Sequence, residues 1–192
     1  MSMNTRDVVQ DIVKHTAALG FINSVKVTGT GEDTRLDAMD SDRTVILQAK
    51  LHNSVEEFVG EFGLGNLGFL QGISGLPSYQ TEDASVEVVS RERNGNTFQD
   101  HLLFKDAEGN TDQYRFMSKE IVEQTLQTVK FKGVEWDVTF EPTKQKVSEL
   151  TQVANIYGGI EPNFTVKTED GNLIVTVGAN DGSFTGKRTF AN

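Results

Sequence analysis

Ser24-Val25-Lys26-Val27 and Asn163-Phe164-Thr165-Val166 decide the fold, because each begins a strand that follows a helical stretch. What comes after them matches at a nearly constant offset. Residues 36–42, LDAMDSD, lie opposite residues 174–181, IVTVGAND, a strand and then an acidic turn in both cases. The order helix, strand, strand, strand therefore occurs twice, starting near Thr5 and near Thr143. Identity between the copies is low, so the repeat is one of pattern. Its physical content is two similar α+β units in one chain.

Working outward, residues 5–19 have helical spacing. Val9, Ile12, Val13 and Thr16 form one stripe with Val8 and Leu19 at its edge, Asn4 or Thr5 can cap the start, and Gly20 ends the helix. Strands are expected at 24–28, 35–39 and 44–51, punctuated by Gly29, Gly31 and the acidic turn 40–42. Residues 55–76 are apolar and glycine-rich, and the spacing predicts a short buried helix over 64–73. A three-strand meander follows over 86–93, 97–105 and 112–117, turned by Asn94-Gly95 and Gly109-Asn110. Residues 118–129 fit either a helix capped by Ser118 or an extended connector, and 134–140 alternate like a strand. Pro142 suits the first position of a helix over 143–156. Strands at 164–168, 173–177 and 183–191 complete the second copy, with Asp170-Gly171 and Asp181-Gly182 as turns.

Hydrophobic residues make up 36% of the 192 residues and charged residues 24%, which places the chain with globular rather than disordered proteins. No apolar run nears the roughly 20 residues that span a bilayer, and no secretory signal is read at the N-terminus. The chain has no cysteine, which excludes disulfides, zinc thiolates and cysteine nucleophiles. The net charge of −10 argues against a protein whose whole surface meets nucleic acid. It leaves room for a body acidic outside and mildly basic on one inner face.

Catalytic constellations are not found. His15, His52 and His101 lack metal-ligand spacing. Gly63-x-Gly65-x-x-Gly68 matches a dinucleotide fingerprint in letters only, since no βαβ unit surrounds it, and tight packing is the better reading. Asp40-x-Asp42 lacks the glycine and terminal glutamate of a calcium loop and reads as an Asx turn. The reading is a non-enzyme, with no metal and no cofactor. The polar helix faces are more informative: Asp7, Gln10, Asp11 and Lys14 with Arg6 at the flank, and Gln145, Glu149 and Gln152 between Lys144 and Lys146. Such faces are usually just solvated. They also suit a loose, water-screened contact with phosphates.

The stretch EEFVGEFGLGNLGFLQGISGL, residues 56–76, resembles the second helix of the first domain in phage-type DNA sliding clamps, processivity factors related in fold to proliferating cell nuclear antigen. The resemblance extends to residues 8–40 and to the meander over 84–117. It runs more weakly over residues 146–180, KVSELTQVANIYGGIEPNFTVKTEDGNLIVTVGAN. It implies an α+β clamp fold with a first domain over 1–117, a connector over 118–133 and a partial second domain over 134–192. It implies a homotrimeric ring around duplex DNA, a polymerase and a clamp loader as partners, no membrane, and the cytoplasm of an infected bacterial host. Arg6, Lys14, Lys144 and Lys146 are the DNA-facing candidates on that analogy. The resemblance also implies that each complete domain carries a further helix and meander, which the second copy lacks here. The alternative is a non-enzymatic α+β phage accessory or virion module with no DNA role. A carboxylate-and-metal nuclease is disfavoured, because no spaced ligand set is present.

Overall fold

The computed structural model describes residues 4–53, 55–93, 95–126, 133, 135–179 and 182–191. The chain divides into two compact units, Met1–Phe131 and Lys132–Asn192.

The first unit opens with helix α1, Thr5–His15. The Asn4 side chain accepts hydrogen bonds from the backbone N–H groups of Arg6 and Asp7, satisfying two of the donors a helix start leaves free. Val8, Val9, Ile12 and Val13 point into the core. A 3₁₀ turn, Ala17–Leu19, extends the helix, and Gly20 closes it at φ 80°. Strands β1 (Ser24–Thr30), β2 (Thr34–Met39), β3 (Ile46–Lys50) and β4 (Val59–Gly65) form an antiparallel sheet in the order β3-β2-β1-β4. Helix α2 (Leu67–Ser74) follows, and β5 (Ser85–Arg93), β6 (Asn96–Lys105) and β7 (Thr111–Arg115) make a second antiparallel sheet. One core, from Val8 to Phe116, fills the space between the helices and these sheets. Helix α3, Lys119–Thr125, ends the described part of this unit.

The second unit has helix α4 (Lys144–Tyr157) and the meander β8 (Phe164–Glu169), β9 (Asn172–Gly178) and β10 (Thr185–Ala191), in sheet order β10-β9-β8. Thr143 caps α4, its hydroxyl accepting from the Lys146 N–H at 3.2 Å. The core here is small: Val153, Val175 and Val177, with Leu150, Tyr157 and Phe190 against them.

The two meanders share one register. Val25 faces Ala38 and Val27 faces Leu36 in the first; Phe164 faces Val177 and Val166 faces Val175 in the second. The third strands agree as well, Leu36 with Ala49 and Val175 with Arg188. The caps Asn4 and Thr143 stand at the same offset. In this register Leu36 matches Val175, one position later than the expected Ile174.

Three other expectations need correction. Residues 64–73 are not one helix, because the glycines in 59–65 mask the alternation of Phe62 and Leu64 in strand β4, and Asn66 at φ 52° turns the chain into α2. Of the strand expected over 134–140, Val134 lies outside the described residues, and 135–140 alternate in sequence but form no strand, with no neighbouring strand among the described residues to accept their ladder. Pro142 stands before the cap of α4 rather than at its first turn. Of the two readings of 118–129, the described part is helical over Lys119–Thr125. Asn94 and Asp181, each half of an expected turn, and the tail of that segment at 127–129 lie outside the described residues.

The Gly63-x-Gly65-x-x-Gly68 letters resolve into packing. Gly63 exchanges two backbone hydrogen bonds with Met117, at 2.9 and 2.8 Å, which joins the β4 edge to the chain leaving β7. A Cβ on Gly63 would meet Val122 Cγ2 at 2.2 Å, and one on Gly65 would meet Met117 Sδ at 2.5 Å. Glu61 anchors the same corner, its carboxylate 3.4 Å from Lys26 Nζ and 3.0 Å from Lys119 Nζ. Gly68 has open space around it on an exposed helix face. Gly63→Ala is therefore expected to destabilise the fold by about 1–3 kcal/mol through overpacking, and adding Val122→Ala should recover part of that loss. Gly68→Ala should be neutral or stabilising by up to about 1 kcal/mol. Chemical denaturation of the three variants checks the contrast.

On the second sheet, Asp100 is 6% exposed and is surrounded by Arg91, His101 and Arg115, one from each strand. Its carboxylate accepts from Arg115 Nη2 at 2.9 Å and from His101 Nδ1 at 2.7 Å, and Arg91 Nε stands 2.9 Å away as an ion-pair partner. Burial works to raise its pKa, but the His101 hydrogen bond and the Arg115 and Arg91 charges overcome it and hold the carboxyl below the usual aspartate range. A depressed folded pKa means that the stabilisation is complete above the unfolded value, about 4, and is lost as pH falls through the folded one. Asp100→Asn is expected to cost about 1–3 kcal/mol at neutral pH. It should also flatten the acid limb of a stability-versus-pH curve below about pH 4, where the parent chain loses this contribution.

Candidate nucleic-acid interface

Nucleic-acid phosphates are bound by cations that their own fold leaves free, so the positions of Arg6, Lys14, Lys144 and Lys146 matter most. Each unit presents its own pair.

On α1 the apolar stripe is turned inward and Asp11, Lys14 and His15 stay exposed. His15 is held by Asp11, through a 2.9 Å contact of Nδ1 to the Asp11 carbonyl and a 3.3 Å approach to its carboxylate. Lys14 makes no hydrogen bond or ion pair with the described residues. It lies in the last turn, where the helix dipole favours a cation. Arg6, near the other end of the helix, is committed within its own unit. Its guanidinium donates to the carbonyl of Thr81 and, at 3.3 Å, to that of Ala84, with the Asp7 carboxylate 3.6 Å away. It ties the start of α1 to the loop entering β5. Arg6 and Lys14 thus stand apart on one helix, one occupied and one free.

On α4, Lys144 is exposed and unpaired among the described residues, whereas Lys146 Nζ donates to the Thr189 carbonyl at 2.8 Å and so pins the helix to β10. Both lie in the first turn, which contains no acidic residue. A helix start is electropositive, so two lysines there act against the usual preference for Asp or Glu. The free N–H groups and the lysines together make a local positive spot in an acidic chain. Farther along, Glu149 pairs with Arg188 at 3.2 Å, leaving Gln145 and Gln152 as neutral exposed polar groups.

Other features point elsewhere. A cleft of about 1030 Å³ at the start of α1 is lined by Glu32, Glu56, Glu57 and His52, a set that repels phosphate. Among the described residues no three His, Asp or Glu side chains gather as a metal site. His101 is buried against Asp100, and the three histidines are not brought together. Asp40 accepts from the Thr44 and Val45 N–H groups, each at 2.8 Å, and from the Thr44 hydroxyl at 2.7 Å. These bonds, the one from Val45 above all, hold its carboxyl below the usual range, as an Asx turn requires. No helix of the described residues is long and apolar enough to cross a membrane. Sequence reasoning missed the ion cluster around Asp100, whose members are spread over three strands. It also missed the Glu61 corner, whose partners Lys26 and Lys119 are far apart in the chain.

No protein-family model matches the sequence, and no curated protein matches it. Solved structures do match. The chain is similar to PCNA from Thermococcus kodakaraensis, with a TM-score of 0.50 and 12% identity over 94% of this chain and 70% of that one. It is also similar to a chain of the PCNA2–PCNA3 complex from Sulfolobus tokodaii, with a TM-score of 0.53 and 12% identity over 97% of this chain and 70% of that one. Likeness at such low identity is a likeness of backbone arrangement, and it agrees with the repeated meander behind a capped helix. The chain has the α+β sliding-clamp fold of the PCNA structures, built from repeated helix and antiparallel-sheet units.

Proposed function

We propose that the protein is a non-enzymatic sliding clamp of the phage type, a processivity factor that encircles duplex DNA and tethers a replicative polymerase. The observation that carries this reading is the register-matched repeat in a PCNA-like fold, each copy opening with a helix that leaves one lysine free. Topological retention needs no strong grip. A sliding surface works better with isolated, water-screened cations than with bidentate clamps, which would arrest motion. Lys14 and Lys144 fit that role. Arg6 and Lys146 are proposed as DNA-facing too, contributing positive potential from anchored positions. The resemblance of residues 56–76 to phage clamps supports the viral assignment, with the infected bacterial cytoplasm as its setting.

The proposed partners are duplex DNA without sequence preference, a DNA polymerase, an ATP-driven clamp loader and further copies of the chain. A ring needs a head-to-tail contact between two different surfaces. The open sheet edges of the chain offer unpaired backbone groups for such a contact.

Two outcomes are expected. Lys14→Glu combined with Lys144→Glu should lower loader-dependent polymerase stimulation on primed circular DNA by roughly tenfold, more at low than at high salt. Stimulation equal to the parent at all salt concentrations would remove these residues from the DNA-facing surface. Sedimentation of the chain should reveal a trimer. A strict monomer that also fails to stimulate any polymerase would favour the accessory-module reading.

A further inference from the structure

The β5–β6 hairpin reaches beyond the rest of its sheet. Strand β7 pairs with residues 101–105 of β6, so residues 90–93 against 96–99 form a two-stranded ribbon. Cross-strand partners share a face, as do residues two apart on one strand. Arg91 faces Phe98 and Arg93 faces Asn96, which puts Arg91, Arg93 and Phe98 on one side. Ser90, Glu92, Thr97 and Gln99 lie on the other. Val89 faces His101 and His101 faces Arg115, so Arg115 continues the first side onto β7. Three of the chain's seven arginines gather on this one patch.

Phe98, among them, is 40% exposed. The register steps over Asp100 at a bulge, and its carboxylate meets Arg91 from one flank and Arg115 from the other. The two arginine side chains nevertheless stay 57% and 68% exposed. One carboxylate shared by two guanidiniums leaves a positive surplus, and each guanidinium keeps N–H donors beyond the one turned to Asp100. Asp100 thus fixes their positions without cancelling their charge. Arg93 is exposed and makes no hydrogen bond or ion pair among the described residues, although the Glu120 carboxylate lies within its electrostatic reach and offsets part of its charge.

We propose that this ribbon face binds single-stranded nucleic acid, with Arg91, Arg93 and Arg115 on phosphates and Phe98 stacked on a base. A positive patch on a chain of net charge −10 selects an anion. The ring selects among anions, because an exposed aromatic side chain flanked by cations is a stacking platform for bases. In a duplex the faces of the bases are covered by their neighbours, so only a single strand uses Phe98. An acidic peptide would meet the arginines and leave the ring unused. The surface lies wholly in the first unit, on strands and away from the lysines of α1 and α4, and the inference stands apart from the proposed encirclement of duplex DNA.

The test uses the full chain and a short fluorescent oligothymidylate, followed by anisotropy at low salt. Saturable binding that weakens with added salt is expected. Arg93→Glu and Phe98→Leu should each weaken it by about tenfold, and Phe98→Trp should keep it. Thr97→Ala, on the opposite side of the ribbon, should leave it unchanged, as should Lys14→Glu combined with Lys144→Glu. Absence of saturable binding by the parent chain overturns the proposal, as does binding that neither Arg93→Glu nor Phe98→Leu weakens. Equal affinity for the oligothymidylate annealed to its complement, insensitive to Phe98→Leu, would reduce the patch to plain phosphate contact and overturn it too. Tighter binding of an oligoglutamate peptide would overturn it in favour of an acidic protein partner. If Phe98→Leu fails to fold, Arg93→Glu and the preference for single strand over duplex decide.

Discussion

Val25 and Val27 are sealed from water because the first meander is covered on its face by α1 and closed at its margin by β4. An antiparallel sheet with one buried face tolerates no register slip, since a shift by one residue would turn the valines outward. The Val25–Leu64 and Val27–Phe62 pairs hold that register from one side, and Ala38 and Leu36 hold it from the other. The remaining features of the first unit build on this arrangement. The β4 backbone is free to approach Met117 only because position 63 is glycine. That approach seats Val122 of α3 and brings Lys119 to Glu61.

The charge balance bears on the proposed light contact with DNA. At −10 overall, the chain is repelled by a polyanion beyond the screening length, roughly 8–10 Å at physiological salt. Inside that distance local charge governs. The first turn of α4 is positive by its lysines and by its dipole, with the nearest helix carboxylate, Glu149, paired to Arg188. On α1, Asp11 is engaged with His15, so Lys14 is not neutralised by it. Free lysines of this kind contribute potential without fixed geometry, as the proposed topological retention on DNA would require.

Much of the fold was legible in the sequence because its signals are local. Periodicity placed α1 and α4, and turn residues placed the hairpins of both meanders. The repeat was visible from Ser24–Val27 against Asn163–Val166, although the Leu36 match was off by one. The strand β4 was hidden because Gly60, Gly63 and Gly65 stand where side chains would have displayed a period of two. The glycines are there for packing against Met117 and Val122, a tertiary fact with no local signature. Residues 135–140 erred in the opposite direction, since alternation does not guarantee a neighbouring strand. For the candidate surface, the sequence named the four cations but could not separate free from committed ones. Arg6 is spent on carbonyls more than seventy residues away, and Lys146 on one more than forty residues away. Such partners are set by folding alone.

The contrast between the two meanders has an energetic consequence. Fully burying a valine or phenylalanine side chain stabilises a fold by about 1.5–3 kcal/mol, and whole domains are stable by only about 5–15 kcal/mol. The first unit draws this contribution from Val25 and Val27 together with Phe62 and Leu64. The second unit has the same helix, hairpin register and third strand, but Phe164 and Val166 stay half in water and its core is confined to a few residues. Its backbone plan is therefore shared with the first unit while its stabilisation is not.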